Sequence, residues 1–344
     1  MRELSYAQAI SEGLVQAMER DPQVFIFGLG VDDWKGIFGT TKTAFEKFGP
    51  ARVFDTPASE GALTGIALGA AYNGKRPVLV HARNDFMFLA LDQMINTAAK
   101  WKYVYAGQSS VPIVIRSIVG KGWGQGATHS QSIQSVLAHF PGIYVAMPSS
   151  PYIAKGLILK SLRVDAPVVL IEHRSLYDDK QDVPEGDYEI DFGRAHVARK
   201  GKDITIVATS LMVRESLKAA ELLSAEGIDV EVIDPVSLQP LDEDTIIKSV
   251  QKTGRLVCAD TSWLRCGFAG EVSALIAEKG FRYLKGPIKR VTLPECPAPV
   301  SKALENIFYP DFKNISKAVC ELFGREFPQR INDLYQEDKF LGPY

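Results

Sequence analysis

The sequence lacks several features that would assign it to a broad class of proteins. Its formal net charge is only -2, so its charge gives no reason to expect nucleic acid or an anionic membrane as a partner. No apolar run reaches the ~18 residues of a membrane-spanning helix, and Met1–Ser5 does not resemble the core of a signal peptide. We therefore expect a cytoplasmic protein that binds neither membranes nor nucleic acid.

Cysteine is scarce, and its four positions do not have the spacing of a metal site. They are Cys258, Cys266, Cys296 and Cys320. Such cysteines fit reduced thiols in the cytosol, where disulfides are rare.

The order of the predicted elements indicates an α/β protein. Buried-type strands such as Val24–Gly28, Pro77–His81 and Val111–Arg116 alternate with helical patterns, which predicts mainly parallel sheets flanked by helices. Val111–Arg116 shows little alternation of apolar and polar residues, as in a sheet covered on both faces. The 344 residues suffice for about two domains.

One carboxylate stands out in an otherwise uncharged stretch. Glu60 is the only charged residue between Thr56 and Gly74, and it precedes a helix of small and apolar residues. Two interpretations fit this pattern. An acidic residue in the first turn stabilises the helix dipole, and a carboxylate in such surroundings is also suited to binding a ligand.

A glycine-rich loop extends from Gly120 to Gln131 and contains His129. It has neither the P-loop pattern nor the dinucleotide-binding pattern, but its glycines indicate a close approach of the backbone to another group. A histidine in such a loop is either structural and solvated or in contact with a substrate.

Taken together, the motifs resemble one family, the β subunit of the thiamine-diphosphate-dependent 2-oxoacid dehydrogenase E1 component of the pyruvate, branched-chain and acetoin types. The resemblance extends to about Leu322. The matching residues, in chain order, include Asp55-Thr56-Pro57 with Ser59-Glu60, Gly65-Ile66-Ala67, Asp92-Gln93 with Asn96, His129-Ser130-Gln131-Ser132, Pro240-Leu241-Asp242 and Lys252-Thr253-Gly254-Arg255.

This resemblance implies a fold and a division into domains. We expect a transketolase-like pyrimidine-binding domain over residues 1–185, a linker over 186–200, a transketolase C-terminal-type domain over 201–324 and a tail over 325–344. Each domain would contain a mainly parallel sheet flanked by helices. The implied activity is that of an oxidoreductase, which decarboxylates a 2-oxo acid or acetoin-like substrate and transfers the acyl group to a lipoyl carrier.

The resemblance also implies roles for individual residues. Glu60 matches the glutamate that binds the aminopyrimidine ring of thiamine diphosphate and promotes its imino tautomer. Phe86 matches an aromatic residue beside that ring, although a core aromatic is the alternative. His129 matches the histidine of the active-site channel that assists substrate or lipoyl transfer. Some members bind K⁺ through backbone carbonyls, and the matching positions include Ile113, Leu162 and Val164.

The family's diphosphate motif is missing, and this absence implies a partner. No Gly-Asp-Gly occurs in the sequence, and Gly186-Asp187 is followed by Tyr188. An α subunit would therefore hold the Mg²⁺-diphosphate end of the cofactor in an α2β2 heterotetramer, to which a lipoyl-bearing E2 protein would bring the acyl acceptor.

Two segments depart from the family pattern. Arg83 fits none of the types, and it either pairs with an acid such as Asp85 or contacts a polar substrate. The segment Asp260–Phe268 has other residues where the family has a glutamate and paired glycines, in a region expected near the partner and carrier surfaces.

Two alternative functions remain. The chain could be half of a split transketolase or synthase that works without lipoamide, or it could be a non-catalytic assembly protein.

Overall fold

The structure is a computed structural model that describes residues 2–33, 36–121 and 124–334. Its fourteen strands are, in chain order, β1 (Arg2–Ser5), β2 (Val24–Gly28), β3 (Val53–Phe54), β4 (Arg76–His81), β5 (Val114–Val119), β6 (Tyr144–Ala146), β7 (Val168–His173), β8 (Lys180–Val183), β9 (His196–Arg199), β10 (Ile204–Ala208), β11 (Val230–Asp234), β12 (Ser237–Gln239), β13 (Leu256–Trp263) and β14 (Lys289–Leu293). The α-helices of at least five residues are Tyr6–Arg20, Lys42–Phe48, Glu60–Tyr72, Ala99–Val104, Gln134–Ala138, Pro151–Ser161, Leu211–Ser224, Glu243–Thr253, Phe268–Leu275, Lys302–Phe308 and Phe312–Leu322.

Two sheets organise the chain. The first has seven strands in the order β12-β6-β7-β5-β4-β2-β3, and the second has five in the order β14-β13-β10-β11-β9. All neighbours are parallel except the edge strands β12 and β9. The predicted α/β class with two mainly parallel sheets is therefore confirmed.

Apolar clusters cover both faces of the first sheet. One face packs against the helices Tyr6–Arg20 and Pro151–Ser161. The other packs against the helix Glu60–Tyr72 and continues into the second domain through residues such as Phe268 and Val272. This double coverage explains why β5 is buried at every position and why the sequence there shows little alternation of apolar and polar residues.

Backbone pairing also involves segments that the sequence did not predict as strands. β1 pairs antiparallel with β8, so the polar stretch near Asp182 is paired rather than open loop. Residues 196–199 of the predicted linker form β9 of the second sheet, and β12 joins the first sheet. Short polar edge strands have weak sequence signals, because no buried face imposes an alternation on them.

The spacing of apolar residues predicts a helix over Asp85–Trp101, but this segment is not a single α-helix. The chain forms a 3₁₀ segment over Asn84–Ala90, a π segment over Asp92–Ala98 and an α-helix only from Ala99. Here the backbone approaches the Glu60–Tyr72 helix so closely that a Cβ on Gly61 would lie 3.0 Å from the Leu89 carbonyl oxygen. Apolar spacing predicts a helical segment but does not distinguish α, 3₁₀ and π turns.

Among the residues described, no helix has the length and apolar character needed to cross a bilayer.

A buried ion pair lies within the first sheet. Arg116 on β5 and Glu172 on β7 are 0% and 1% exposed, and the guanidinium donates to both carboxylate oxygens at 2.6 and 2.9 Å. Arg116 also donates to Thr40, and the Tyr177 hydroxyl donates to Glu172. Glu172 keeps the pKa of Arg116 raised despite the opposing effect of burial.

Two buried histidines lie at the carboxyl ends of strands in the same sheet. His81 is the last residue of β4 and His173 the last of β7. Burial lowers the pKa of His81 to about 4. Burial also lowers the pKa of His173 to about 3, and the charges of Lys121 and Arg214 add to the effect. Both side chains are therefore neutral in the folded protein near neutral pH.

We expect Glu172→Ala to lower the free energy of unfolding by about 3–5 kcal/mol, because it leaves the Arg116 guanidinium buried without its carboxylate. The double variant Arg116→Met/Glu172→Leu removes both charges and should recover part of that loss. Urea unfolding measures both, with the exposed Glu221→Ala as control. Equal destabilisation in the single and double variants would contradict the electrostatic explanation.

We expect stability to fall as the pH decreases from about 7 to about 5, because the unfolded chain binds protons that the neutral His81 and His173 do not. The pKa of each histidine is lower in the folded chain than the unfolded value near 6.5. The free energy of unfolding is therefore unaffected above that value and decreases below it, by up to about 1.4 kcal/mol per pH unit for each histidine. The double variant His81→Gln/His173→Asn should flatten this dependence in urea unfolding. The exposed His139→Asn is the control, and an unchanged slope in the double variant would refute the assignment.

Candidate active site

The predicted site residues follow the carboxyl ends of parallel strands in the first sheet. Glu60 follows β3, Arg83 and Phe86 follow β4, and His129 lies in the loop after β5. Parallel strands place these ends at one edge of the sheet, where α/β proteins bind ligands. The topology therefore brings Glu60, Phe86 and His129 to the same edge.

Glu60 begins the helix Glu60–Tyr72 and is partly exposed. The Thr64 hydroxyl donates to the Glu60 backbone carbonyl at 2.8 Å. Within the described ranges, no hydrogen bond or ion pair engages the Glu60 carboxylate. Glu60 thus provides a carboxylate at a helix N-terminus that is available to a bound group.

Phe86 and His129 are in direct contact. Their ring centroids are 5.5 Å apart with an interplanar angle of 81°, an edge-to-face arrangement. The Thr128 hydroxyl lies 2.9 Å from His129 Nδ1. Both rings are half-buried, so each presents a surface to the same space.

Arg83 connects the end of β4 with the glycine-rich loop. Its Nε donates to Gln125 Oε1 at 2.7 Å, a guanidinium nitrogen donates to the Ala82 carbonyl at 2.6 Å, and the guanidinium carbon lies 5.6 Å from the Phe38 ring centroid. Asp85 is not the acid partner considered from the sequence, because its carboxylate accepts from Gln131. The guanidinium is thereby held beside the loop that contains His129.

Several buried polar atoms around this edge have no protein partner. They are Thr56 Oγ1, His81 Nε2, Asn84 Oδ1, Asp85 Oδ2 and Gln93 Oε1. Buried polar groups are normally satisfied by protein or ordered water, so these atoms could form hydrogen bonds with a bound polar molecule or with water. Together with a carboxylate and a half-exposed aromatic ring, this donor and acceptor set fits the aminopyrimidine end of thiamine diphosphate.

The three positions proposed for K⁺ lie at the opposite ends of the strands. The Ile113 carbonyl accepts from Val168 N at 2.9 Å, and the Val164 carbonyl accepts from Arg76 at 3.2 Å. Leu162 follows the helix Pro151–Ser161 and is buried. Within the described part of the chain, no group of three or more His, Cys, Asp or Glu side chains could hold a metal ion.

The second domain supplies residues that sequence reasoning did not identify. The carboxylate of Asp260 and the hydroxyl of Thr261 are buried on β13 and hydrogen-bond to Gln134 and Ser132, just after His129. The segment from Asp260 was expected near partner surfaces, but Asp260–Ser262 lies inside the protein. In the sequence, Ser130, Gln131 and Ser132 after His129 stood out only as residues that match the family.

The C-terminal segment also covers the glycine-rich loop. A Cβ on Gly126, where φ is +65°, would lie 2.8 Å from Val300 Cγ2. Only glycine fits such a close approach in this conformation. The loop is thus shaped from both domains.

Two family descriptions match successive parts of the chain. Residues 2–180 match the family described as transketolase, pyrimidine binding domain, and residues 193–315 match the transketolase C-terminal domain. A solved structure described as a split gene transketolase, inactive beta4 tetramer, superposes with a TM-score of 0.74 over 93% of this chain and 98% of that chain. At 24% identity this similarity shows the fold alone.

Similar curated proteins cover nearly the full chain. The β subunit of acetoin:2,6-dichlorophenolindophenol oxidoreductase from Cupriavidus necator is 42% identical, with 92% of this chain and 96% of the relative aligned. The Bacillus subtilis protein of the same name is 41% identical over 94% and 98%. A pyruvate dehydrogenase E1 component subunit beta from Staphylococcus epidermidis is 38% identical over 93% and 100%.

These relatives favour the dehydrogenase interpretation over a split transketolase. Their identity to this chain far exceeds that of the transketolase structure, and the alignments span both domains. The chain belongs to the family of β subunits of the thiamine-diphosphate-dependent 2-oxoacid and acetoin dehydrogenase E1 components.

Proposed function

We propose that this chain, together with an α subunit, carries out the oxidative decarboxylation of a 2-oxo acid or the cleavage of an acetoin-like substrate, with acyl transfer to a lipoyl carrier. The observation that carries the proposal is the arrangement of Glu60, Phe86 and His129 at one edge of the sheet, surrounded by unpartnered buried polar atoms. The free thiols of all four cysteines support a cytoplasmic location.

Bound thiamine diphosphate supplies the carbon nucleophile and the electron sink of this chemistry. The residues of this chain would bind and orient its pyrimidine ring. The Glu60 carboxyl would share a proton with a ring nitrogen, and the Phe86 ring would pack beside the pyrimidine. A helix that begins at Glu60 fixes the backbone of this residue at the edge of the sheet, so the carboxylate needs only a side-chain rotation to meet the ring.

His129 would act on the substrate or the acyl carrier rather than on the pyrimidine. Its ring is half-buried against Phe86, and the glycine-rich loop brings it to the site from a separate strand. A histidine in this position can donate a proton to the sulfur that is released when the lipoyl disulfide is reduced and its other sulfur takes up the acyl group. We therefore propose that a lipoyl-bearing E2 protein delivers its arm to this side of the site.

An α subunit would complete the site, and an exposed apolar face supports this proposal. Ile66 on the Glu60–Tyr72 helix is 58% exposed and Leu89 is 68% exposed. On the same helix, a Cβ on Gly65 or Gly69 would meet no atom within 4 Å. Such a contiguous apolar surface is typical of a protein interface. The α subunit would hold the Mg²⁺-diphosphate end, giving an α2β2 heterotetramer.

A structural K⁺ remains part of the proposal. The carbonyls of Ile113 and Val164 each accept one hydrogen bond, and a carbonyl oxygen has a second lone pair. With the Leu162 carbonyl, they could bind a cation that fixes the beginnings of β5 and β7. This role would be structural, because these positions are distant in the sheet from the edge that holds Glu60.

Glu60→Gln should reduce turnover about 100-fold or more, because the variant lacks the carboxyl that shares a proton with the cofactor ring. The assay uses the chain reconstituted with α subunit, thiamine diphosphate and Mg²⁺, with an artificial electron acceptor. Size-exclusion chromatography should show unchanged association with the α subunit. Glu46→Gln on an exposed helix is the matched control, and full activity of Glu60→Gln would show that the cofactor assignment is wrong.

We further propose that Arg83 binds a carboxylate or hydroxyl of a polar substrate. Arg83→Met should raise KM for polar 2-oxo acids about tenfold, the effect of losing a hydrogen bond to a charged group, and should spare or improve small apolar ones. A panel of 2-oxo acids, with acetoin included, is measured on both forms and on Arg83→Lys, which keeps the charge. If the rank order of substrates is the same in all three, Arg83 has a structural role only.

A further inference from the structure

The segment that connects His129 to the helix Gln134–Ala138 has no regular secondary structure. Residues 130–133 form neither helix nor strand, yet Ser130, Ser132 and Ile133 are buried. Its course is therefore set by side chains from elsewhere in the protein.

The first domain holds the segment through the residues that precede Phe86. Asp85 Oδ1 accepts from the backbone nitrogen of Gln131 at 3.2 Å and from its side-chain nitrogen at 2.9 Å. Asn84 Nδ2 lies 3.3 Å from the Gln131 carbonyl oxygen. Because Asp85 is adjacent to Phe86, these bonds fix Phe86 relative to the segment after His129.

The second domain holds the segment from the other side. The Ser132 hydroxyl donates to Gln134 Oε1 at 2.7 Å. Its oxygen also lies 3.1 Å from the Thr261 hydroxyl oxygen. A serine hydroxyl has one proton, so Thr261 is the donor in that contact. Both oxygens are buried, which makes the bond costly to lose.

Asp260 adds a second connection between the domains. Its side chain is 1% exposed, and Oδ1 accepts from Gln134 Nε2 at 2.7 Å and from Thr209 at 2.6 Å. The Ser262 hydroxyl donates to the other oxygen. A buried carboxylate is tolerated only when donors surround it, so Gln134 is held in a defined position.

We infer that Asp260 and Thr261 of the second domain are positioning residues for His129. Among the residues that the structure describes, the imidazole contacts the Thr128 hydroxyl and the Phe86 ring. The ring position therefore depends on the backbone, and the backbone is fixed by Asp85 on one side and by Asp260 and Thr261 on the other. This inference rests on the proposed role of His129 in acyl transfer.

The inference predicts a specific kinetic effect. Loosening the Ser132–Thr261 bond should impair the step that uses His129 more than the step that depends on Glu60. Decarboxylation measured with 2,6-dichlorophenolindophenol reports the first half of the reaction. Acylation of a lipoyl-bearing domain reports the second half, so the ratio of the two rates is the diagnostic quantity.

Thr261→Val in the α/β holoenzyme, assayed with pyruvate and with acetoin, should lower the ratio of acyl transfer to dye reduction about fivefold to tenfold, the effect of one buried hydrogen bond. Ser132→Ala removes the other end of the same bond and should reproduce the effect. Thr292→Val in the second domain is the control, because its hydroxyl contacts only the adjacent Leu293 carbonyl among the described residues. Hydrogen–deuterium exchange over residues 124–134 should rise in the first two variants alone.

His129→Ala and the double variant with Thr261→Val separate positioning from general loosening. If Thr261 acts through His129, the double variant has the same ratio as His129→Ala alone. Additive losses, or faster exchange with an unchanged ratio in Thr261→Val, would overturn the inference. If His129→Ala itself leaves the ratio unchanged, the proposed role of His129 is wrong and the inference falls with it.

Discussion

The parallel direction of the central strands in the first sheet is the constraint on which the site depends. Because β3, β4 and β5 all run the same way, the segments that follow them emerge at one edge. Each segment contributes a different group there: a carboxylate, an aromatic ring and an imidazole. No single segment of the sequence contains the site, and a change in strand direction at any of these positions would move one group away from the others.

Burial of unpaired polar groups around that edge lowers the stability of the free chain and favours the binding of a polar ligand. The Arg116–Glu172 pair shows that the sheet can bury a charge when the chain supplies an opposite charge that forms two hydrogen bonds with it. Around His81, Asn84 and Asp85 some partners are missing. Unsatisfied buried atoms reduce stability in the free chain, and a polar ligand or ordered water that satisfies them recovers the loss. The chain thus gives up some stability at the edge where we propose that the cofactor binds.

The sequence predicted much of the fold and of the site, but mainly where the signal is local. Alternating buried strands and helices predicted the α/β class, and the family resemblance pointed to Glu60, Phe86 and His129 before any geometry was available. The roles of these residues stay predictions. Arg83 could be placed at a strand end, but its bond to Gln125 depends on how the glycine-rich loop folds back.

Contacts between residues far apart in the chain could not be predicted from the sequence. The pairing of β1 with β8 joins two short polar segments, and the 3₁₀ and π turns near Phe86 follow from packing against Gly61. Asp260 and Thr261 were noted only as a departure from a family pattern. Their partners lie more than a hundred residues earlier in the chain, and nothing in the local sequence indicates that distance.

The crossing strand β12 has a consequence for synthesis and folding. Residues 237–239 form the outermost strand of the first sheet, although the rest of that sheet is complete by His173. On the ribosome, the amino-terminal unit therefore emerges with the edge of β6 uncovered until much of the second unit has been made. An uncovered edge can pair with another chain. The first unit is thus expected to reach its final form only after the second has been made, and a cut at the junction between them would separate β12 from the chain segment that forms the rest of the first sheet.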